Sequence, residues 1–387
     1  MEVQLRIGIV GMGNAGMTHA RPLIGNQVPR AVLTAVCDAR ERAESLRKTL
    51  PGSVMIFDDY DKMLASGVCD AVIVSTPHLL HPEQSEKALL AGLHVFCEKP
   101  AGISIGPVRR LNKLAAGTKK VFAMNFIKRQ EPVYQTLKRL IDGGELGRVY
   151  RIHWTASDWY RSDSYFSSAS WRGSWAGEGG GVLLNQCIHN IDLWQYIFGM
   201  PSRLRAFCSF GKYHNIEVED DVTAYMEYHD GATGVLVTST GESPGVNRLE
   251  VTGSRGRILV ENRAITFYRT SVPIEDFNRA DKSGFGEPEH WECSIPVNGQ
   301  TDLFAGMQRN FVEAILDGKE LFIRGEDGLA SLEIANAILL STWQDDWASL
   351  PVDEASFEAE LAARIRTSRK PSAINEQRIL DLSASFK

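Results

Sequence analysis

No run of lysines and arginines in this chain could track a phosphate backbone, and the net charge of -6 over 387 residues is mild. Nucleic-acid binding is therefore not expected. No apolar stretch reaches the roughly 20 residues that span a bilayer, so no membrane partner is expected. The first residues enter a strand pattern at once, so no signal peptide is expected. The six cysteines (Cys37, Cys69, Cys97, Cys187, Cys208 and Cys293) are scattered, with no C-x-x-C pair. Several sit in apolar runs, where cysteine acts as a small hydrophobe. The expectation is a reduced, cytoplasmic protein without a metal site. Internal repeats and low-complexity segments are missing as well.

What is present is ordinary for a globular chain, with 43% hydrophobic and 23% charged residues. The length exceeds what one hydrophobic core usually serves, so two domains are expected. Residues 1–125 alternate short apolar runs with helical patterns, the sign of βαβ units and a parallel sheet. The runs are Leu5–Val10, Val32–Cys37, Ala71–Ser75, His94–Cys97 and Lys120–Met124, with a helix pattern at Pro82–Ala91 stopped by Gly92. Pro132–Ile141 reads as a linking helix.

Residues 126–369 have the texture of an α+β domain. Val149–Ser157, Leu204–Phe210, Val222–Tyr228, Thr233–Thr240, Arg248–Thr252 and Arg257–Val260 read as strands. Asp230-Gly231 and Gly253-Ser254-Arg255-Gly256 read as hairpin turns, which makes the sheet mostly antiparallel and open-faced. Helices at Val182–Phe198, Leu303–Leu316 and Gly328–Asp345 are expected to cover one face. The other is expected to form a homodimer or homotetramer interface. Residues 370–387 read as a polar tail.

The first strand runs into Gly11-Met12-Gly13-Asn14-Ala15-Gly16, a glycine turn opening a helix whose backbone N–H groups can hold a pyrophosphate. Alone, the pattern is common. Its context sharpens it, because Asp38 ends the next strand 22 residues after Gly16. An acidic group there accepts from both adenosine ribose hydroxyls and repels a 2′-phosphate, so NAD is expected over NADP. Ala39 and Arg40 follow, and Arg40 can offset part of that repulsion. Ser75-Thr76-Pro77-His78 fits a wall of the same crevice, the alternative being a plain turn before the next helix. His81 stays open between capping that helix and facing the cofactor. Glu98 and Lys99 end another strand of the sheet, where a lysine would point toward the cofactor's reactive end.

A glycine triplet, Gly179-Gly180-Gly181, precedes a second cluster. Asn185, His189 and Asp192 fall at i, i+4 and i+7 of a helical pattern, beside Leu184, Ile188, Ile191 and Phe198. A buried polar stripe is costly unless paired, so these groups meet a ligand or each other. A histidine bonded to a carbonyl inside a core is the plain alternative.

Taken in order, the glycine turn, Glu98-Lys99-Pro100 and the triplet followed by Asn185, His189 and Asp192 resemble the glucose–fructose oxidoreductase / inositol dehydrogenase / rhizopine-catabolism family. Arg129-x-x-Pro132, Gly144-Glu145-Leu146-Gly147 and Gly325-Glu326-Asp327-Gly328 extend the resemblance over nearly the whole chain. It implies an α/β Rossmann domain followed by an open-faced α+β domain, a dimer or tetramer, and action on sugars or cyclitols. It also implies that Lys99 and His189 are the active-site lysine and histidine, and that Trp171-Arg172 touches the nicotinamide end. Asn185 departs from the pattern, since many members carry Asp there. Asn cannot take a proton, but it can hold a substrate hydroxyl or orient His189. The segment from Trp171 to Gln186 is most similar to a branch oxidising glycosides or anhydrosugars.

Oxidising a sugar carbinol requires a group that takes the hydroxyl proton. His189 suits this near neutral pH, with Lys99 donating to the same oxygen. Burial and neighbouring cations would lower the lysine's pKa, which leaves a base role open to it. The aromatic, arginine-bearing stretch Trp154–Arg161, with Tyr165, Phe166, Trp171 and Trp175, suits the C–H faces and hydroxyls of a sugar, or a subunit interface. Asp158, Tyr160, Arg161 and Trp175 are the candidate substrate contacts beyond Lys99, Asn185 and His189. Trp343 and Trp347 read as core. The leading expectation is an NAD-dependent dehydrogenase oxidising a secondary hydroxyl of a sugar or glycoside, with C3 and a 3-keto product in view. An NAD-dependent glycosidase or epimerase needs the same hydride machinery, and a non-catalytic sugar- or NAD-sensing regulator would share the fold.

Overall fold

The computed structural model describes residues 3–299 and 302–369, so the tail read at 370–387 lies outside the described residues. Strands β1 (Leu5–Val10), β2 (Ala31–Cys37), β3 (Met55–Phe57), β4 (Ala71–Val74), β5 (His94–Cys97) and β6 (Phe122–Met124) form one sheet in the order β3-β2-β1-β4-β5-β6. Every neighbouring pair is parallel. All four residues of β4 are buried, because helices cover both faces of such a sheet. The strand order reverses between β1 and β4. Their carboxyl ends, at Gly11 and Ser75, therefore border the crevice where sheets of this kind bind ligands.

The second sheet contains β7 (Val149–Ala156), β8 (Arg203–Phe210), β9 (Glu219–Glu227), β10 (Thr233–Ser239), β11 (Asn247–Gly253), β12 (Gly256–Glu261), β13 (Ala264–Thr270), β14 (His290–Ile295) and β15 (Ala348–Ser349). Their order is β14-β13-β12-β11-β7-β10-β9-β8-β15. Only β7 and β10 run parallel; the other neighbours are antiparallel. Burial alternates along β8 to β10. Ala206, Ala224 and Leu236 point into the core, while Phe207, Tyr225 and Val235 lie on the uncovered face.

Two of the three expected helices cover the inner face. Trp194, on the helix Ile188–Phe198, stacks on Trp154 with ring centroids 6.4 Å apart. Ser341, on Asp327–Gln344, accepts a hydrogen bond from the Ala206 N–H at 3.0 Å. The third helix, Leu303–Asp317, packs on the first domain instead. Its Phe311 meets Phe96 at 5.4 Å, and its Gln308 donates to His19. The chain then adds to the edge of the parallel sheet, with Gly325 N–H donating to Phe122 O at 2.8 Å.

Other departures have local causes. The helix expected from Val182 starts at Ile188, because residues 182–187 form turns. The buried Glu219 carboxylate takes the Gly181 and Leu183 N–H groups at 2.8 and 3.0 Å, and holds that backbone against β9. Trp343 stacks on Phe357, as expected of core, but Trp347 is 39% exposed at the sheet edge. Asp192 meets a protein partner, since buried Arg129 grips it through two bonds of 2.6 and 2.7 Å and reaches Asp327 at 3.1 Å. No helix among the described residues is long and apolar enough to cross a membrane.

Candidate active site

The glycine turn is built from three positions with different duties. Gly11 takes φ +86°, and a Cβ there would stand 2.7 Å from the Ser75 carbonyl. A Cβ on Gly16 would stand 2.0 Å from Gly11 O, so the helix passes this close to the strand only without a side chain. At Gly13 nothing lies within 4 Å of the Cβ position. Gly13 caps the helix Asn14–Ile24 with no side-chain bond and no acidic residue in the first turn. Met12, Gly13, Asn14 and Ala15 thus form an open cradle at a helix N-terminus, which suits a phosphate. At the end of β2, Asp38 accepts from the Met12 and Ala39 N–H groups at 2.8 and 2.7 Å. The guanidinium beside it, at 3.6 Å, belongs to Arg42; Arg40 is exposed.

Beyond β4, Ser75 and Thr76 turn their hydroxyls to protein partners, Gly11 O at 2.8 Å and Gln84 Oε1 at 2.6 Å. Pro77 leads into a short turn that buries His78 edge-on to Trp171, with ring centroids 5.2 Å apart. His81 neither caps its helix nor faces the crevice. Its ring nitrogens lie 2.7 Å from Thr76 O and Pro100 O, tying this wall to the Glu98-Lys99 segment. Arg172 stacks over Trp171 at 4.5 Å and Tyr165 at 4.2 Å.

Glu98 sits at the centre of a buried network, accepting from His19 and Asn125 at 2.7 Å each. Burial opposes its charge, but the His19 and Asn125 donors and the Lys99 ammonium hold the carboxyl at about 2. Lys99 Nζ donates to the Asn185 backbone carbonyl at 2.8 Å. Burial draws its ammonium down to about 8; Arg172 and Arg161 add to the shift, while Glu98 and Glu178 oppose it. His189 is buried with its ring edge toward Phe126, and its Nδ1 has no hydrogen-bond partner among the described residues. Burial, then Lys99 and Lys128, keep its pKa well below the usual range. The lysine comes from the end of β5 and the histidine from the helix after the glycine triplet. Of the charges that act on His189, the Lys99 ammonium has the largest effect.

The remaining expected contacts divide. Asn185 stands in the turn before that helix, its side chain bonded to Glu178 and to the Tyr165 hydroxyl. Arg161 lies over the Tyr165 ring at 5.0 Å. Asp158 is exposed and accepts from Asn247, while Tyr160 is 53% exposed at the rim. Trp175 does not reach the site; it packs on Trp343 and Phe210 in the core. Sequence reading passed over Glu178, the Tyr165 hydroxyl, and Lys128, which stands 5.0 Å from the Trp159 ring. The signal for Glu178 was a lone carboxylate between Gly177 and Gly179. Lys128 carried none.

Residues 5–126 match the oxidoreductase family model with an NAD-binding Rossmann fold, and residues 134–259 match the GFO/IDH/MocA C-terminal domain. D-glucoside 3-dehydrogenase of Escherichia coli is 30% identical over 61% of this chain and 70% of its own length. The chain belongs to the GFO/IDH/MocA family. It is an NAD-dependent oxidoreductase, and the open cradle at Gly13 and the preset Asp38 carboxylate fit that cofactor. Inositol 2-dehydrogenase of Rhizobium meliloti is 27% identical over 87% of this chain and 96% of its own length. A WlbA dehydrogenase structure from Bordetella pertussis, in complex with NADH and UDP-GlcNAcA, superposes with a TM-score of 0.75 at 25% identity. That match covers 90% of this chain and 100% of the other.

Proposed function

We propose that this oxidoreductase oxidises a secondary hydroxyl of a sugar or glycoside, C3 of a pyranose being the position, with Lys99 taking the hydroxyl proton. The observation that carries the reading is that Lys99, just past the carboxyl end of β5, reaches the Asn185 backbone carbonyl at 2.8 Å, four residues before the buried His189. Relatives acting on a D-glucoside at C3 and on inositol at C2 support a ring alcohol as substrate. Bound NAD supplies the hydride acceptor. The sequence left the base role open between His189 and Lys99, and the surroundings favour Lys99 as the proton acceptor. Protonating His189 would bury an N–H at Nδ1 with no acceptor among the described residues. Lys99, held at about 8, is matched to a proton transfer near working pH. Neutral His189 then holds the same oxygen and orients the carbinol.

The uncovered sheet face, with Phe207 62% exposed beside Tyr225 and Val235, supports a homo-oligomer interface there. Six unpaired cysteines support a reducing, cytoplasmic setting. A panel of glucose, myo-inositol, 1,6-anhydroglucose and methyl glucoside, followed at 340 nm with NAD and then NADP, tests the activity. Net NADH formation with a glycoside is the expected result. Release of an aglycone without net NADH would reject it in favour of a transient-oxidation glycosidase, and silence with every sugar would reject catalysis on this class.

A further inference from the structure

Glu178 is 1% exposed and stands beside the site with Arg172 and Lys99 as charged neighbours and Glu219 further off. One carboxylate oxygen accepts from the Gly173 N–H at 2.7 Å, and the other accepts from Asn185 Nδ2. The same Nδ2 donates to the Tyr165 hydroxyl at 3.1 Å. Burial raises the Glu178 pKa, but Arg172, the Gly173 N–H, Asn185 and Lys99 all favour the ionised form. An ionised carboxylate can only accept, so it fixes which end of the amide faces it. Both Asn185 N–H groups are then engaged, and Oδ1 is left as the end that can meet a ligand.

The geometry points to Glu178 as a positioning residue of the alcohol-oxidising site, acting through Asn185 so that Oδ1 accepts a hydrogen bond from a substrate hydroxyl. This rests on the function proposed above. It also accounts for Asn at position 185. An Asp there would place two carboxylates at hydrogen-bond distance in a buried site, where both cannot stay ionised. The pair therefore carries one carboxylate, and its place is on residue 178.

Exchanging the two chemistries tests this. In Glu178→Gln the amide can serve Gly173 N–H or Asn185 Nδ2 but not both, so Asn185 loses its fixed orientation. In Asn185→Asp the substituted carboxyl serves only while it shares a proton with Glu178. In the double variant, the amide at position 178 accepts from Gly173 through its oxygen and donates through its nitrogen to the carboxylate at position 185. The second oxygen of that carboxylate again faces the ligand. With the best sugar of the panel, each single variant is expected to lose about tenfold or more in kcat/KM, the scale of one charged hydrogen bond. The double variant is expected to recover most of that loss. Melting temperature and NADH fluorescence titration show that each variant folds and binds cofactor. Singles with wild-type kcat/KM, or a double variant whose loss is the product of the singles, overturn the role of Glu178 and leave the activity standing. A wild-type enzyme that oxidises no sugar overturns both. Should Glu178→Gln fail to fold, Asn185→Asp decides alone. Its kcat/KM relative to wild type must fall as pH rises from 5 to 8, and a constant ratio overturns the proposal.

Discussion

Lys99 and His189 differ in what surrounds them more than in how deeply they sit. Two carboxylates, Glu98 and Glu178, offset part of the burial of the Lys99 ammonium. Around His189 two lysines add to burial, Glu98 opposes them, and Nδ1 has no acceptor among the described residues. Their losses should differ accordingly. Lys99→Ala is expected to lower kcat by roughly 10²–10⁴-fold, the range for a positioned proton-transfer group. His189→Ala removes a hydrogen-bond partner worth about 1–3 kcal/mol, roughly ten- to a hundredfold in rate. Steady-state kinetics beside NADH titration check both, since neither change touches the glycine cradle. At this scale the sequence exposes groups that stand at strand ends, such as Lys99 and Asp38. It hides side chains that become partners across tens or hundreds of residues, such as Tyr165 with Gln186 or His19 with Gln308. Trp175 shows the converse, because an aromatic in a polar loop reads the same whether it binds a sugar or fills a core.

The glycine turn separates folding from binding at the scale of the element. Gly16→Ala would force a Cβ to within 2.0 Å of Gly11 O, where overpacking costs about 1–3 kcal/mol. It should lower the melting temperature as well as NAD affinity. Gly13→Ala meets nothing within 4 Å and should leave the melting temperature unchanged. It should still weaken NAD by about tenfold, some 1.4 kcal/mol, because the methyl enters the cradle. Thermal melting beside NADH fluorescence titration distinguishes the two. Most strands of both sheets were legible from alternation and from their turns. β3, three residues long, and β14, whose residues are largely exposed, lack the pattern that would betray them. The false start at Val182 has a different origin: helical periodicity is real there, but Glu219, 38 residues away, captures the N–H of Gly181.

Across the whole molecule, the candidate site is braced by one set of bonds within the second domain and another between the domains. Arg129 joins Asp192, three residues after His189, to Asp327 on the late helix. The helix Leu303–Asp317 reaches back to His19, the partner of Glu98, through Gln308. A two-domain chain could be read from length and texture, but not this return, because an amphipathic helix does not say which domain it covers. In the proposed mechanism a neutral histidine and a lysine near 8 would share one alcohol oxygen. The pH dependence of kcat/KM for sugar oxidation tests that claim most directly. The amine must be neutral to accept the proton, so kcat/KM should rise through a pKa near 8 and level above it, with no limb near 6.5 from His189. A profile that falls above pH 8, or one limited by a group near 6.5, would contradict Lys99 as the proton acceptor.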